Sequence, residues 1–286
     1  MVDTHYRPSY AKELMGEIKK VTPLPVKYVI NTHWHNDHVQ GNQGYFNVYG
    51  KGVEFLSHEL AREDIVSKAI PSMKTAIESL PGQIADMEKR AATLTGDEAA
   101  RLKRQIEQQK AYLAELKQIE ITLPTLTFDR SAILHKGDRQ IQLLYFGRGH
   151  TRGDIVTYLP REKVVVMGDL LTGGIPFARD GYPSEWAETL VLVAKLDVEK
   201  VIPGHGGVMS GKQVITDRVN FTRDVVAQVK KGLGEGKSGD AIKAAMDVSK
   251  YQGTFAPDPT GRPIKEWPSL SALVDRAIME AKGELK

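Results

Sequence analysis

The stretch Asn31-Thr32-His33-Trp34-His35-Asn36-Asp37-His38 ("NTHWHNDH", 31–38) places three histidines and an aspartate within six positions, in a 286-residue chain with only eight histidines. The apolar run before it, "VKYVIN" (26–31), reads as a short buried strand, and the residues after that strand read as a turn and a helix start. In an extended turn, positions i and i+2 point the same way. His33 and His35 then present two imidazoles to one ion, while Trp34 points away to pack. Asp37 and His38 begin the next helical turn and face a neighbouring direction, where a second ion could sit. Zinc takes both donor types, at about 2.0–2.2 Å. One turn does not close two coordination spheres, so the remaining ligands must come from elsewhere.

Three strand ends offer them. His150 lies in "GRGHTRGD" (147–154), after a strand ending at Phe146. Asp169 lies in "VMGDL" (166–170), after Lys163–Met167, and His205 in "IPGHGG" (202–207), after Val201–Ile202. Each sits in a glycine-bearing loop, where tight turns and close backbone approach are permitted. Loops at strand ends are where an α/β scaffold gathers a site.

In this order and context the four motifs resemble those of the metallo-β-lactamase fold superfamily, over roughly residues 26 to 210. The resemblance implies an α/β protein, an αββα sandwich with a dinuclear metal site at one edge of two sheets. It implies that His33, His35 and His150 hold a first metal, that Asp37, His38 and His205 hold a second, and that Asp169 bridges them. Two Zn2+ ions are the expected cofactors, with iron and manganese left open. Two such ions about 3.5–4 Å apart share one water and lower its pKa towards 7, and the bridging hydroxide is the nucleophile. Asp37 would orient it and pass on a proton. The acid-bridged pattern resembles glyoxalase II and the lactonases, because subclass B1 lactamases carry a cysteine where Asp169 stands. The run "GHTRGDIVTYLPREKVVVMGD" (149–169) nevertheless reads locally like a lactamase. The expected activity is therefore hydrolysis of a lactam, lactone, thioester or similar ester-like bond, β-lactamase activity included. The alternatives are an iron-dependent persulfide-type dioxygenase and a non-catalytic, metal-stabilised binding module.

Around His150, Thr151 and Asp154 stand where they could hydrogen-bond ligand imidazoles and fix their tautomers. Arg148 and Arg152 flank the same histidine and could meet an anionic substrate group. The segment "GGIPFARDGYPSEW" (173–186) is expected to form a groove wall, with Phe177, Arg179 and Tyr182 as candidate substrate contacts. His5, His58 and His135 match no motif and are expected to have ordinary packing or surface roles.

Composition narrows the rest. Hydrophobic residues at 41% and charged residues at 26% supply a sizeable core. Cysteine is absent, which excludes disulfides, thiolate nucleophiles and thiolate metal sites. A net charge of +3, with basic residues dispersed, offers no nucleic-acid stripe, so a small-molecule substrate is expected and a nucleic-acid partner is not. No run approaches the roughly 18 apolar residues of a membrane span. Helices are expected over Tyr10–Val21, Ser184–Leu196, Gln213–Gly232 and Leu270–Lys282. Tyr10, Leu14, Ile18 and Val21 form the apolar stripe of the first, and Ile215, Val219, Val226 and Val229 that of the third. Strands alternating with helices indicate layered α/β architecture in one domain, 1–286.

Residues 59–120 depart from that alternation. Ile84, Met87, Ala91 and Leu94 form one helical stripe and Leu102, Ile106, Leu113 and Leu116 a second, with a break whose Thr95 and Glu98 could make a capping box. This is an inserted antiparallel helical hairpin: a surface elaboration, a lid or an arm for homodimerisation. The segment 253–268, rich in Pro and Gly, reads as a loop. The start, "VDTHYRPSYAKELMGEIKK" (2–20), is similar to the superfamily's strand end, Asp-Thr-Gly-like loop and helix, with His5 in place of the glycine. The strands that normally precede it are expected to be missing. The first ten residues contain no apolar signal-peptide region, and an export signal upstream would leave localisation open.

Overall fold

The computed structural model describes residues 1–175, 177–256 and 262–285. Residues 257–261 of the expected 253–268 loop fall outside these. The chain divides into two compact units, Met1–Leu56 with Arg62–Thr127, and Ser57–Ala61 with Phe128–Lys286. No helix among the described residues is long and apolar enough to cross a membrane.

The first unit holds β1 (Tyr28–Ile30) and most of β2 (Glu54–His58) and β3 (Leu126–Phe128), which form a three-stranded sheet in that order. β1 and β2 are parallel, with Tyr28 opposite Glu54 and Ile30 opposite Leu56. A parallel pair needs a crossover, and α2 (Asn36–Val39) and α3 (Asn42–Tyr49) supply it. Val2 forms a parallel bridge to Ile30, so the first residues run along β1 as an extra edge. α1 (Pro8–Val21) comes next in the chain, opening on a proline whose fixed φ suits a first helical position.

The buried face of α1 differs from the expected stripe. Ala11 and Met15 are buried, whereas Leu14 is 37% and Val21 87% exposed. The reason is helix–helix distance: a Cβ placed on Gly44 of α3 would lie 3.0 Å from the Ala11 Cβ. Only two very small residues allow that approach, so the contact face is set by size and not by hydrophobicity. Ala11, Met15, Val29, Tyr45, Val53 and Phe55 form the resulting core.

Between β2 and β3 stand α4 (Glu59–Asp64), a π-helical turn at Ile65–Ala69, α5 (Ile70–Ala91) and α6 (Gly96–Leu116). The pairing of α5 and α6 is antiparallel. Ile84 and Ala91 cluster with Leu102 and Ile106, while Met73 and Leu80 cluster with Leu116 and Ile119. The two expected stripes thus face each other. Thr95 occupies the N-cap position of α6, but its side chain makes no capping hydrogen bond, so the expected capping box does not form.

The second unit carries a six-stranded sheet in sequential order: β4 (Ser131–Lys136), β5 (Arg139–Leu144), β6 (Val156–Leu159), β7 (Val164–Val166), β8 (Lys200–Ile202) and β9 (Met209–Ser210). β4 to β7 form an antiparallel meander, β7 and β8 are parallel, and β9 turns back on β8. It follows that β5, β7 and β8 run in one direction. α7 (Pro183–Val193), lying between β7 and β8 in sequence, makes their parallel crossover, and α8 (Gln213–Gly234), α9 (Gly239–Ala245) and α10 (Pro268–Ala281) complete the unit. Ile215, Val219, Val226 and Val229 of α8 join Val165 and Val201 of the sheet and Trp186 and Leu190 of α7 in one core.

Candidate metal centre

In the first unit, β1 delivers the chain to the histidine turn with its backbone already paired, Asn31 N–H donating to Leu56 O at 2.9 Å. Trp34 turns away from the turn's polar face and packs with Val39, Ile65 and Ala69. His33, His35, Asp37 and His38 come together. His33 Nε2 lies 3.1 Å from His35 Nδ1, and His38 Nε2 lies 3.3 Å from Asp37 Oδ2. His33 and His38 are buried, while the Asp37 side chain is 42% exposed.

Asp3 organises this cluster, although no donor-spacing motif singles it out. Its carboxylate accepts from the Thr32 N–H at 2.8 Å and from the Thr32 hydroxyl at 2.8 Å, and it faces His38 Nδ1 at 2.8 Å. A carboxylate only accepts, so His38 must carry its proton on Nδ1 and present the Nε2 lone pair. The Thr32 hydroxyl gives its proton to Asp3, so it accepts from His33 Nδ1, 3.0 Å away. His33 therefore also presents Nε2. One carboxylate fixes two imidazole tautomers, directly and through a hydroxyl, which is how metal-binding histidines are held. The backbone reaches this geometry at a left-handed φ of 52° for Asp3 and 72° for His5. The second value marks the position where the sequence resemblance expects glycine. Thr4 secures the arm, its N–H and hydroxyl both donating to His38 O at 3.0 Å.

In the second unit the common direction of β5, β7 and β8 places the loops after them at one end of the sheet. Those loops carry His150, Asp169 and His205. The carboxylate of Asp169 lies between the two imidazoles, with Oδ2 at 3.6 Å from His150 Nε2 and Oδ1 at 3.4 Å from His205 Nε2. His150 and Asp169 are buried, and the His205 side chain is 56% exposed. Glycines make the approach possible. Gly168 has a φ of 51° at the turn that carries Asp169. A Cβ on Gly204 would fall 2.0 Å from Asp169 Oδ1.

The donor set fits a divalent metal. Two ligand atoms each about 2.1 Å from one tetrahedral ion lie about 3.4 Å apart. The four separations above, 3.1, 3.3, 3.4 and 3.6 Å, scatter around that value. His33, His35, Asp37, His38, His150, Asp169 and His205 are members of histidine–aspartate groups able to hold a metal ion.

Thr151 and Asp154 are bound to each other. Asp154 accepts from the Thr151 backbone N–H and from its hydroxyl, both at 2.7 Å. Burial pushes its carboxyl up to about 8, against the opposing effect of these bonds. The pair shapes the loop that carries His150. Trp186 backs the same loop, its ring centroid 5.5 Å from that of His150 and its indole N–H donating to Leu170 O at 3.1 Å.

The expected substrate contacts divide. Arg148 makes a two-pronged pair with Glu185 and stacks 4.1 Å over the ring of Tyr182. Tyr182 is itself buried. Both serve the loop's own packing, and reaching a substrate would break these contacts. Arg152 is half-buried, and its carbonyl accepts from the Tyr145 hydroxyl at 3.1 Å. Phe177 and Arg179 are on the loop after Asp169, with Phe177 exposed and the guanidinium 5.1 Å over its phenyl ring.

The remaining histidines do ordinary work. His58 accepts from Leu60 N–H through Nδ1 at 3.1 Å and donates to Asp129 O from Nε2 at 2.8 Å, and burial lowers its pKa. His135 is exposed on β4, opposite Gln140. His5 packs edge-on against Tyr10.

The model of the metallo-beta-lactamase superfamily matches residues 1–61 and 86–205, and the chain belongs to that superfamily. Over 273 residues it is 22% identical to a linear primary-alkylsulfatase from Pseudomonas sp. (strain ATCC 19151), a match covering 90% of this chain and 49% of the relative. It is 29% identical over 85 residues to a metallo-beta-lactamase type 2 from Elizabethkingia meningoseptica, covering 28% of this chain and 34% of that enzyme. These relatives are hydrolases, and the chain spans half their length or less. Among solved structures, a stereoselective inverting sec-alkylsulfatase from Pseudomonas sp. superposes with a TM-score of 0.68 at 14% identity, over 97% of this chain and 45% of that one. A metallo-beta-lactamase from Pontibacter korlensis gives 0.54 at 19% identity, over 78% and 81% of the two chains. The fold is thus the mixed α/β fold of the metallo-β-lactamases.

Proposed function

We propose that this chain is the catalytic part of a dinuclear zinc hydrolase that cleaves sulfate esters of linear alcohols: R–O–SO3− + H2O → R–OH + HSO4−. The extent of similarity carries the reading. The alkylsulfatase match runs through 90% of the chain, whereas the lactamase match is confined to 28% of it. Lactone, thioester or lactam hydrolysis would use the same groups on a different bond.

In this reading His33, His35 and His150 would hold one ion, Asp37, His38 and His205 would hold the other, and Asp169 would serve both. Its two oxygens, each facing a different histidine, support the bridging role. Bound there, two divalent ions would supply an acidified water and a counter-charge for the leaving group. Asp37, half-exposed, would orient the attacking water and accept its proton on a carboxylate oxygen. Asp3 keeps the lone pairs of His33 and His38 directed inwards while charge changes around them. Trp186 and the Thr151–Asp154 pair hold the His150 loop rigid.

The test is a hydrolysis panel with the zinc-loaded protein: decyl sulfate, a chromogenic lactam, a lactone, a thioester and a phosphodiester. The proposal expects decyl sulfate to be turned over fastest, with the activity abolished in Asp37→Ala. Preference for the lactam would replace the substrate assignment. Turnover that survives Asp37→Ala would remove the mechanism.

A further inference from the structure

A groove of about 880 Å³ lies within the second unit, between α10 and the loop after Asp169. Its size is in the range of small-molecule sites, about 300–1,000 Å³. Ile175 and Phe177 contribute apolar walls from the loop, and Ala272 and Met279 from the helix. α10 buries Leu270, Leu273, Val274, Ala277 and Ile278 in the core. Ala272, Arg276 and Met279, at i, i+4 and i+7, form a separate stripe that lines the groove.

The charge around this apolar floor is unbalanced. Asp275 is the groove's one lining carboxylate among the described residues, and Lys243 Nζ holds its two oxygens at 2.6 and 2.8 Å. Arg276 donates from Nε to Gly181 O at 2.8 Å and lies 5.7 Å over the Tyr182 ring, while Arg179 lies over Phe177. These contacts are with a carbonyl and with aromatic faces. Neither guanidinium is paired with a carboxylate among the described residues, so no acidic side chain offsets them in the groove lining. An apolar channel bordered by two uncompensated cations matches a ligand with a linear apolar chain and an anionic head.

From this juxtaposition we infer that the groove between α10 and the loop residues Ile175, Phe177 and Arg179 is a binding site for a single-chain anionic amphiphile, its chain against Phe177, Ala272 and Met279 and its head between Arg179 and Arg276. None of the proposed metal ligands is among the residues that line it. It rests on the proposed hydrolase activity only in taking its ligand from the same chemical class, the alkyl anions.

The probe is decanoate, which carries no hydrolysable ester, titrated calorimetrically below micelle-forming concentrations. Decanol and decyltrimethylammonium are the neutral and cationic controls. Decanoate is expected to bind best of the three, and affinity to rise about tenfold for each two carbons added between octanoate and dodecanoate, as burial of methylenes requires. Arg179→Glu, a substitution on the loop, is expected to weaken decanoate about tenfold and leave decanol unchanged, and Ala272→Trp to weaken both. Equal binding of the three probes, or wild-type decanoate affinity in both variants, overturns the site. So does a self-association that Ala272→Trp abolishes while decanoate fails to bind, because the groove is then an interface between copies of the chain. Decyl sulfate turnover on the same samples separates the two proposals: absent turnover with intact decanoate binding refutes the hydrolase reading alone.

Discussion

Replacing Asp3 by Asn should cripple metal uptake although Asp3 ligates nothing in the proposed site. The substitution keeps size and removes charge. Three donors converge on the carboxylate at 2.8 Å: the Thr32 N–H, the Thr32 hydroxyl and His38 Nδ1. An amide has one accepting oxygen and an NH2 that must face at least one of these donors. Hydrogen bonds to a charged group are worth about 1.5–3 kcal/mol each, so the apo protein should lose several kcal/mol of stability. For the metal, the relevant quantity is the freedom His38 and His33 regain to take the wrong tautomer. Loss of such an orienting group typically lowers affinity about 10–100-fold, which is about 1.4–2.8 kcal/mol. Competition against a chromophoric chelator measures this directly, with circular dichroism confirming that the variant is folded. Glu in place of Asn restores the charge but adds a methylene, and should recover part of the affinity. Wild-type zinc affinity in a folded Asp3→Asn protein would refute the tautomer argument.

The geometry yields three further expected outcomes. Gly204→Ala drives a Cβ to within 2.0 Å of Asp169 Oδ1, so the carboxylate must move, and zinc stoichiometry and turnover should both collapse, as metal analysis and decyl sulfate assays will register. Trp186→Ala removes a fully buried indole behind His150 and should lower unfolding free energy in urea by about 3–5 kcal/mol. Burial holds the pKa of His58 below its ordinary 6.5, so the unfolded chain takes up a proton before the folded one does. The stability due to the neutral ring is complete above that pH and is lost as pH falls through 6.5 towards the lowered value. Midpoints of metal-free protein between about pH 7.5 and 5.5 should therefore fall more steeply for wild type than for His58→Gln.

The proposed ligands are legible in sequence because each combines a rare donor with a strand end and a glycine, a pattern that packing alone does not generate. Asp3 shows the limit of that signal. An aspartate is common, its importance comes from a left-handed backbone at residue 3 and from Thr32, and neither is visible as periodicity. The buried face of α1 is hidden from hydrophobic periodicity because Ala11 and Gly44 contribute little hydrophobicity, yet their smallness decides how closely two helices approach. β3 and β4 carry no clear strand signal because they are largely exposed and their residues are mixed in polarity. Only Gly137, at a φ of 62° in the β4–β5 hairpin, marks the turn that joins β4 to β5. The stripes of α5 and α6 are legible because a two-helix hairpin has only one seam in which to bury apolar side chains.

In the proposed site His33, His35, Asp37, His38, His150, Asp169 and His205 serve one pair of ions. Elemental analysis of the protein after zinc loading and exhaustive buffer exchange tests it most directly, on wild type and on Asp169→Ala. Two zinc ions per wild-type chain, falling to one or none when the shared carboxylate is removed, is the predicted result. A single ion per wild-type chain, or two that survive Asp169→Ala unchanged, would contradict it.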